Sequence, residues 1–151
     1  MSVYNNEESI TESIRSILSQ TYQDFEFLIV DDCSTDLTYE KLKEIEKTDG
    51  RIKLYQNQKN IGLTASLNFL ISKSNFDYIA RQDGDDISLK DRFEIQKNCL
   101  DTNKYDFCIS RARIKGSNKN IPKFSVYFPS KVVIKYKNPF IHGTLMIKKN
   151  V

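Results

Sequence analysis

Tryptophan is absent from these 151 residues, histidine occurs once, and there are only three cysteines, three prolines and five glycines. Cys33, Cys99 and Cys108 are too few and too scattered for a disulfide framework or a zinc spacing, and they fit a reducing compartment. No apolar run exceeds six residues, which leaves no membrane-spanning helix. No basic start precedes an apolar stretch, as a secretion signal requires. No glycine precedes Gly50, so an N-terminal glycine-rich phosphate loop is excluded. Negative charge is missing from one end: residues 107–151 hold ten Lys and Arg and no acid, whereas residues 1–106 hold thirteen bases and all twenty acids. The net +3 therefore hides an acidic portion at −7 and a basic one at +10. So mild an overall charge argues against a general nucleic-acid binder.

What is present suffices for a core. The chain is 39% apolar, with a length that fits about one domain of roughly 100–200 residues. After a short opening strand at Ser2-Val3-Tyr4, Ile10, Ile14, Ile17 and Leu18 recur with helical spacing. Ser9 followed by Glu12 fits a capping box. Phe25-Glu26-Phe27-Leu28-Ile29-Val30 reads as a buried strand, and residues 37–48 as a polar helix. Ile52-Lys53-Leu54-Tyr55 alternates like a strand. Leu63, Leu67, Leu70 and Ile71 predict a helix with one apolar face. Tyr78-Ile79-Ala80 is a short strand, Ser88 with Asp91 opens a helix through about residue 100, and Phe107-Cys108-Ile109 begins a strand. Residues 116–120 read as a loop, 130–137 as a short helix and 143–148 as a further strand. This alternation predicts an α/β fold with an open, mostly parallel, Rossmann-like sheet flanked by helices. Residues 1–106 and 107–151 read as two portions of the same domain, the second only begun.

Two acidic clusters fall at strand ends, where ligands bind in such sheets. Asp83-Gly84-Asp85-Asp86 crowds three carboxylates whose repulsion a divalent cation would relieve. It also reads as a solvated turn. Asp31-Asp32, followed by Ser34, Thr35 and Asp36, reads either as a ligand-binding strand end or as the cap of the next helix. Lying on one sheet edge, the two clusters suit a nucleotide held by its base at one and, through a metal, by its diphosphate at the other.

These residues resemble the inverting family 2 glycosyltransferases of the GT-A fold. The likeness is carried by Ser2-Val3-Tyr4-Asn5-Asn6-Glu7, by Ser16-Ile17-Leu18-Ser19-Gln20-Thr21 with Val30-Asp31-Asp32-Cys33-Ser34-Thr35-Asp36, by Asn60-Ile61-Gly62 to Asn68, and by Asp83-Gly84-Asp85-Asp86 with Asp91-Arg92-Phe93. Asn138-Pro139-Phe140-Ile141-His142 is similar to a stretch of members that build bacterial surface polysaccharides.

The resemblance implies a UDP-sugar donor, a glycan or lipid-linked acceptor, and Mn²⁺ or Mg²⁺ as cofactor. It implies that Ser2 and Tyr4 lie against the nucleotide, that Asp32 accepts the imide N–H of uracil, and that Asp31 supports that loop. Asp83 would meet the ribose or the metal shell, Asp85 would ligate the metal, and Asp86 would stand beside it. It also implies a cytoplasmic protein working at the inner face of the membrane, to which the basic portion would attach peripherally, and self-association is compatible with it.

The sequence departs from the family in three places. Thr64, Ala65, Ser66 and Leu67 are neutral where members carry Arg or Lys. The opening strand is so short that the chain looks cut there. No acid follows Asp106, so the general base that inverting transfer needs is expected beyond Val151, with His142 the weaker candidate and an acceptor-side contact. The fragment is then expected to have little or no activity of its own. A non-catalytic nucleotide-binding module is the alternative. A receiver-type signalling domain fits less well, because a strand and a helix precede its acidic pair. A sugar nucleotidyltransferase would need the missing glycine-rich loop.

Overall fold

A computed structural model describes residues 1–117, 119–121 and 140–150. The chain opens with strand β1 (Ser2–Val3) and helix α1 (Ile10–Leu18). Ile10, Ile14 and Ile17 are no more than 1% exposed, so the helical period docks α1 on the sheet. Burying each such side chain contributes about 1.5–3 kcal/mol. Strand β2 (Phe27–Asp31) is buried along its whole length, as an unbroken apolar run covered on both faces requires. Phe27 and Ile29 join the core under α1, whereas Leu28 and Val30 pack with Leu70 on the opposite side. The period-2 alternation of a strand separates the two sets.

Helix α2 (Thr38–Glu46), strand β3 (Ile52–Gln56), helix α3 (Leu63–Lys73), strand β4 (Tyr78–Ala80) and helix α4 (Arg92–Asp101) follow. They continue the strand–helix alternation expected of the sequence. β2 lies between β1 and β3 and is parallel to both, in the registers Ser2↔Val30 and Phe27↔Ile52. The remaining strands are β5 (Phe107–Cys108), β6 (Ala112–Arg113), β7 (Asn120–Ile121) and β8 (Met146–Lys148). β8 lies between β4 and β5, antiparallel to each, with Ile147 opposite both Ile79 and Phe107. The segment beyond residue 106 thus supplies the middle strand of a second sheet that β4 begins. β6 and β7 form a separate hairpin.

Three local expectations change. Ser9 occupies the N-cap of α1 but makes no side-chain cap, because its hydroxyl donates to the Gly84 carbonyl at 3.1 Å. α4 starts at Arg92, and Ser88 is drawn away from capping by a 2.7 Å bond to Gln82 Oε1. On α3 only Ser66 and Leu70 are buried, while Leu63 and Ile71 stay 47% and 42% exposed. The predicted apolar face of α3 instead lines a cavity. The expected helix at 130–137 and the Asn138-Pro139 pair lie outside the described residues. Among the described residues no helix is long and apolar enough to cross a membrane.

Candidate active site at the acidic strand ends

The turn between β1 and α1 forms the floor of the site and joins the two acidic clusters. On one side Asn5 donates its N–H to Ser34 Oγ at 3.0 Å, and Asn6 donates its N–H to Thr38 Oγ1 at 2.7 Å. Glu7 donates its N–H to Asp36 Oδ2 at 3.2 Å. Asn5 has a φ of 52°, a left-handed value that Asn tolerates better than most residues. On the other side Ser9 and Ser13 donate their hydroxyls to the Gly84 and Asp83 carbonyls, at 3.1 and 3.0 Å. Gly84 is needed for that approach: a Cβ there would meet Val3 Cγ1 at 2.9 Å. Three backbone N–H groups and two serine hydroxyls within residues 5–13 therefore fix the spacing between the end of β2 and the loop after β4.

At the end of β2, Asp31 and Asp32 are 0% and 2% exposed. Asp32 is a clasp. Its Oδ1 accepts the Ile61 N–H at 2.9 Å and Asn57 Nδ2 at 2.8 Å, and its Oδ2 accepts the Gly62 N–H at 2.8 Å. Burial pushes this carboxyl up, but the bonds from Ile61, Asn57 and Gly62 outweigh it and hold it below the usual carboxylate range. Asp31 Oδ2 accepts the Ser34 N–H at 3.1 Å and Gln56 Nε2 at 3.3 Å. Its buried Oδ1 has no hydrogen-bond partner among the described residues.

After β4, the Asp83 carboxylate takes Arg81 in a two-point contact, Nε to Oδ1 at 3.0 Å and Nη2 to Oδ2 at 3.3 Å. Asp85 is exposed. Asp86 is exposed as a residue, yet its carboxyl rests against the turn His142–Thr144. A Cβ on Gly143 would meet Asp86 Oδ2 at 2.6 Å and Asp83 Oδ2 at 2.9 Å. Desolvation first, then the charges of Asp83 and Asp85, push Asp86 above the ordinary carboxylate value, against the pull of Arg92 and Arg81. Among the described residues no three His, Cys, Asp or Glu side chains are grouped to hold a metal ion. Ser2 is half-buried and Tyr4 is 46% exposed, both beside this edge. His142 is exposed on the turn that meets Asp83 and Asp86.

Sequence reasoning assigned no role to Arg92, which lies beneath the acidic loop. Its guanidinium donates to Gln82 Oε1 at 2.8 Å, Ser88 Oγ at 2.9 Å, Gln96 Oε1 at 3.0 Å and the Arg81 carbonyl at 2.7 Å. Burial pushes Arg92 down to about 10, and the charges of Asp86 and Asp83 oppose that shift. Gln96 extends the same network to the Thr144 carbonyl at 2.7 Å. Its sequence signals are its nearness to the acidic triplet and its place in the Asp91-Arg92-Phe93 segment of the family resemblance.

Residues 1–150 match the family described as glycosyl transferase family 2. The chain is 38% identical to EpsE of Bacillus subtilis, over 98% of its own length and 54% of that protein. It is 35% identical, over 82% of its length and 48% of the relative, to WfgD of Escherichia coli, a UDP-Glc:α-D-GlcNAc-diphosphoundecaprenol β-1,3-glucosyltransferase. The chain thus spans about half the length of these curated relatives. Its fold matches that of S. aureus TarS 1–349 in complex with UDP-GlcNAc, with a TM-score of 0.80 at 21% identity, covering 98% of this chain and 44% of that one. With the family matched over residues 1–150 and a relative 38% identical along 98% of the chain, the chain belongs to glycosyltransferase family 2.

Proposed function

We propose that this chain supplies the donor-nucleotide half of an inverting, metal-dependent transferase that passes a sugar from a UDP-sugar to a glycan or lipid-linked acceptor. The observation that carries this reading is the β1–α1 turn with the start of α1, which bonds to the Ser34–Thr38 segment on one side and, through Ser9 and Ser13, to Gly84 and Asp83 on the other. A nucleoside diphosphate laid along that turn has an acidic cluster at each end. The UDP-sugar named for WfgD and the UDP-GlcNAc in the TarS complex support UDP as the nucleotide.

Ser2 and Tyr4 would face the base and ribose. Asp32, already tied to Ile61, Asn57 and Gly62, would accept the imide N–H of uracil. Asp31 would support this loop. Asp85 and Asp86 would hold Mn²⁺ or Mg²⁺, with Asp83 in the outer shell or at the ribose. The donors are all oxygens, as these ions prefer, and Asp86 is already crowded by like charge. When bound, the ion would neutralise charge on the leaving diphosphate.

The acceptor side would begin at residue 107. Its ten Lys and Arg would face a diphosphate-linked acceptor and the inner membrane surface, with His142 contacting the acceptor. No carboxylate beyond Asp106 is available to deprotonate an acceptor hydroxyl, so residues 1–151 alone are expected to bind donor and turn over little.

Calorimetry of UDP, GDP and dTDP with and without Mn²⁺ tests the reading. UDP should bind in the presence of Mn²⁺, and Asp85→Ala should abolish that binding with an unchanged melting temperature. Unchanged UDP binding by Asp85→Ala would remove the metal from this site.

A further inference from the structure

Cys99 of α4 and Cys108 of β5 have no place in the donor site, and they face each other. Helix α4 packs on β5, the next element along the chain. Gln96, one helical turn before Cys99, reaches across this contact and donates Nε2 to the Cys108 carbonyl at 3.4 Å. Residues three apart on a helix share a face, so Cys99 is turned toward the same strand. Its thiol stands within hydrogen-bonding reach of the Cys108 thiol. Cys108 packs against the core cluster that holds Phe93 and Leu100. Both cysteines are free and only half-buried, so a small oxidant can reach them from solvent.

The surroundings distinguish the two thiols. Desolvation first, then the charge and hydrogen bond of Cys99, push the Cys108 thiol up, against the pull of Gln96 and Arg92. Cys108 therefore keeps its proton at neutral pH, and a protonated thiol is a poor nucleophile toward peroxide. The first oxidation falls on Cys99. Cys33 stands apart at the end of β2, with its thiol toward the Gln58 carbonyl at 3.8 Å.

We infer that Cys99 and Cys108 form a peroxide-responsive dithiol that closes to an intramolecular disulfide in the folded chain. Hydrogen peroxide oxidises the Cys99 thiol to a sulfenic acid and is itself reduced to water. The Cys108 sulfur then attacks the sulfenic sulfur. The S–S bond forms as the S–O bond breaks, and the hydroxyl leaves as a second water with the Cys108 proton. Exchange with a thiol reductant reopens the bond. In a reducing compartment the pair stays open until an oxidant appears, which suits a redox-sensing pair rather than a structural bridge. The bond would tie α4 to β5 beside Gln96, whose Nε2 also donates to the Thr144 carbonyl at 2.7 Å and whose Oε1 accepts from Arg92 at 3.0 Å.

The test is to treat the folded chain with hydrogen peroxide, alkylate the remaining thiols and map the peptides without reduction. A Cys99–Cys108 cross-link should appear, lighter than the two thiol peptides by two hydrogens and reversed by dithiothreitol, while Cys33 is recovered alkylated. The oxidised chain should melt roughly 5 °C higher than the reduced one, because the bond constrains the unfolded chain. Cys108→Ser removes the resolving thiol, and the same treatment should then carry Cys99 on to the sulfinic acid. Absence of the cross-link, a cross-link through Cys33 in its place, or an oxidised chain that melts lower than the reduced one overturns the inference.

Discussion

Asp32 Oδ2 accepts the backbone N–H of Gly62 at 2.8 Å, and Gly62 holds a φ of 84°. This bond and its neighbour from Ile61 tie the end of β2 to the start of α3, thirty residues further on. The left-handed turn that aims both amides at one carboxylate favours glycine.

Replacing Asp32 by Ala therefore does more than delete a ligand contact. It removes the acceptor of the Ile61 amide, while the Gly62 amide keeps Asn60 Oδ1 at 3.1 Å and Asn57 Nδ2 keeps Ser66 Oγ at 2.9 Å. An orphaned buried donor costs about 1–3 kcal/mol when nothing relaxes. Asp32→Ala should lose about 1–3 kcal/mol in urea unfolding together with UDP binding. A loss below about 0.5 kcal/mol would show that the clasp is dispensable.

The same carboxyl sets an acid limit. Because the Ile61, Asn57 and Gly62 bonds overcome the effect of burial and depress Asp32, its contribution to stability is present above the unfolded value near ~3.9. That contribution disappears as pH falls through the lower folded value. The melting-temperature gap between the wild type and Asp32→Asn should stay constant from pH 7 to 5 and shrink below about pH 4. A gap that widens on acidification contradicts this assignment.

Much of this fold is legible in the sequence because the signals are local. The Ile10–Ile14–Ile17 spacing and the unbroken Phe27–Val30 run each specify an element and its burial without reference to distant residues. Both acidic clusters are legible for the same reason, since strands end where those carboxylates begin. What is not legible is long-range. Nothing near Asp32 announces Gly62. Ser9 and Ser88 carry the local pattern of helix caps, and partners in other elements, Gly84 and Gln82, claim their hydroxyls instead. The apolar face of α3 is legible too, but periodicity reports which side is apolar and not what stands opposite it.

The role of Arg92 is not legible for a further reason: a charged side chain is normally solvated, and this one is 8% exposed. It holds β4 and the acidic loop through the Arg81 carbonyl, Gln82 and Ser88. Arg92→Met should destabilise the chain by about 3 kcal/mol, because several buried acceptors lose a charged donor at once. Arg92→Lys keeps the charge but not the planar fork, and should recover only part of the stability and of the Mn²⁺-dependent UDP affinity. Full recovery by lysine in denaturation and calorimetry would reduce the role of Arg92 to its charge.

Gly143 offers the sharpest separation of site from fold. Its missing side chain leaves the space that Asp86 Oδ2 and Asp83 Oδ2 approach, and a methyl there would stand 2.6 and 2.9 Å from them. Both atoms are the ends of short side chains at the surface of the loop, so they can swing aside at little cost to folding. Gly143→Ala should therefore melt within about 2 °C of the wild type, a difference of under roughly 1 kcal/mol for a chain of this size. By displacing two of the three acids proposed to surround the metal, it should nevertheless weaken Mn²⁺-dependent UDP binding several-fold. Asp85→Ala, which leaves the Gly143 contact untouched, should abolish that binding outright. Wild-type affinity in Gly143→Ala would mean that the His142–Thr144 turn does not set the position of the acidic loop.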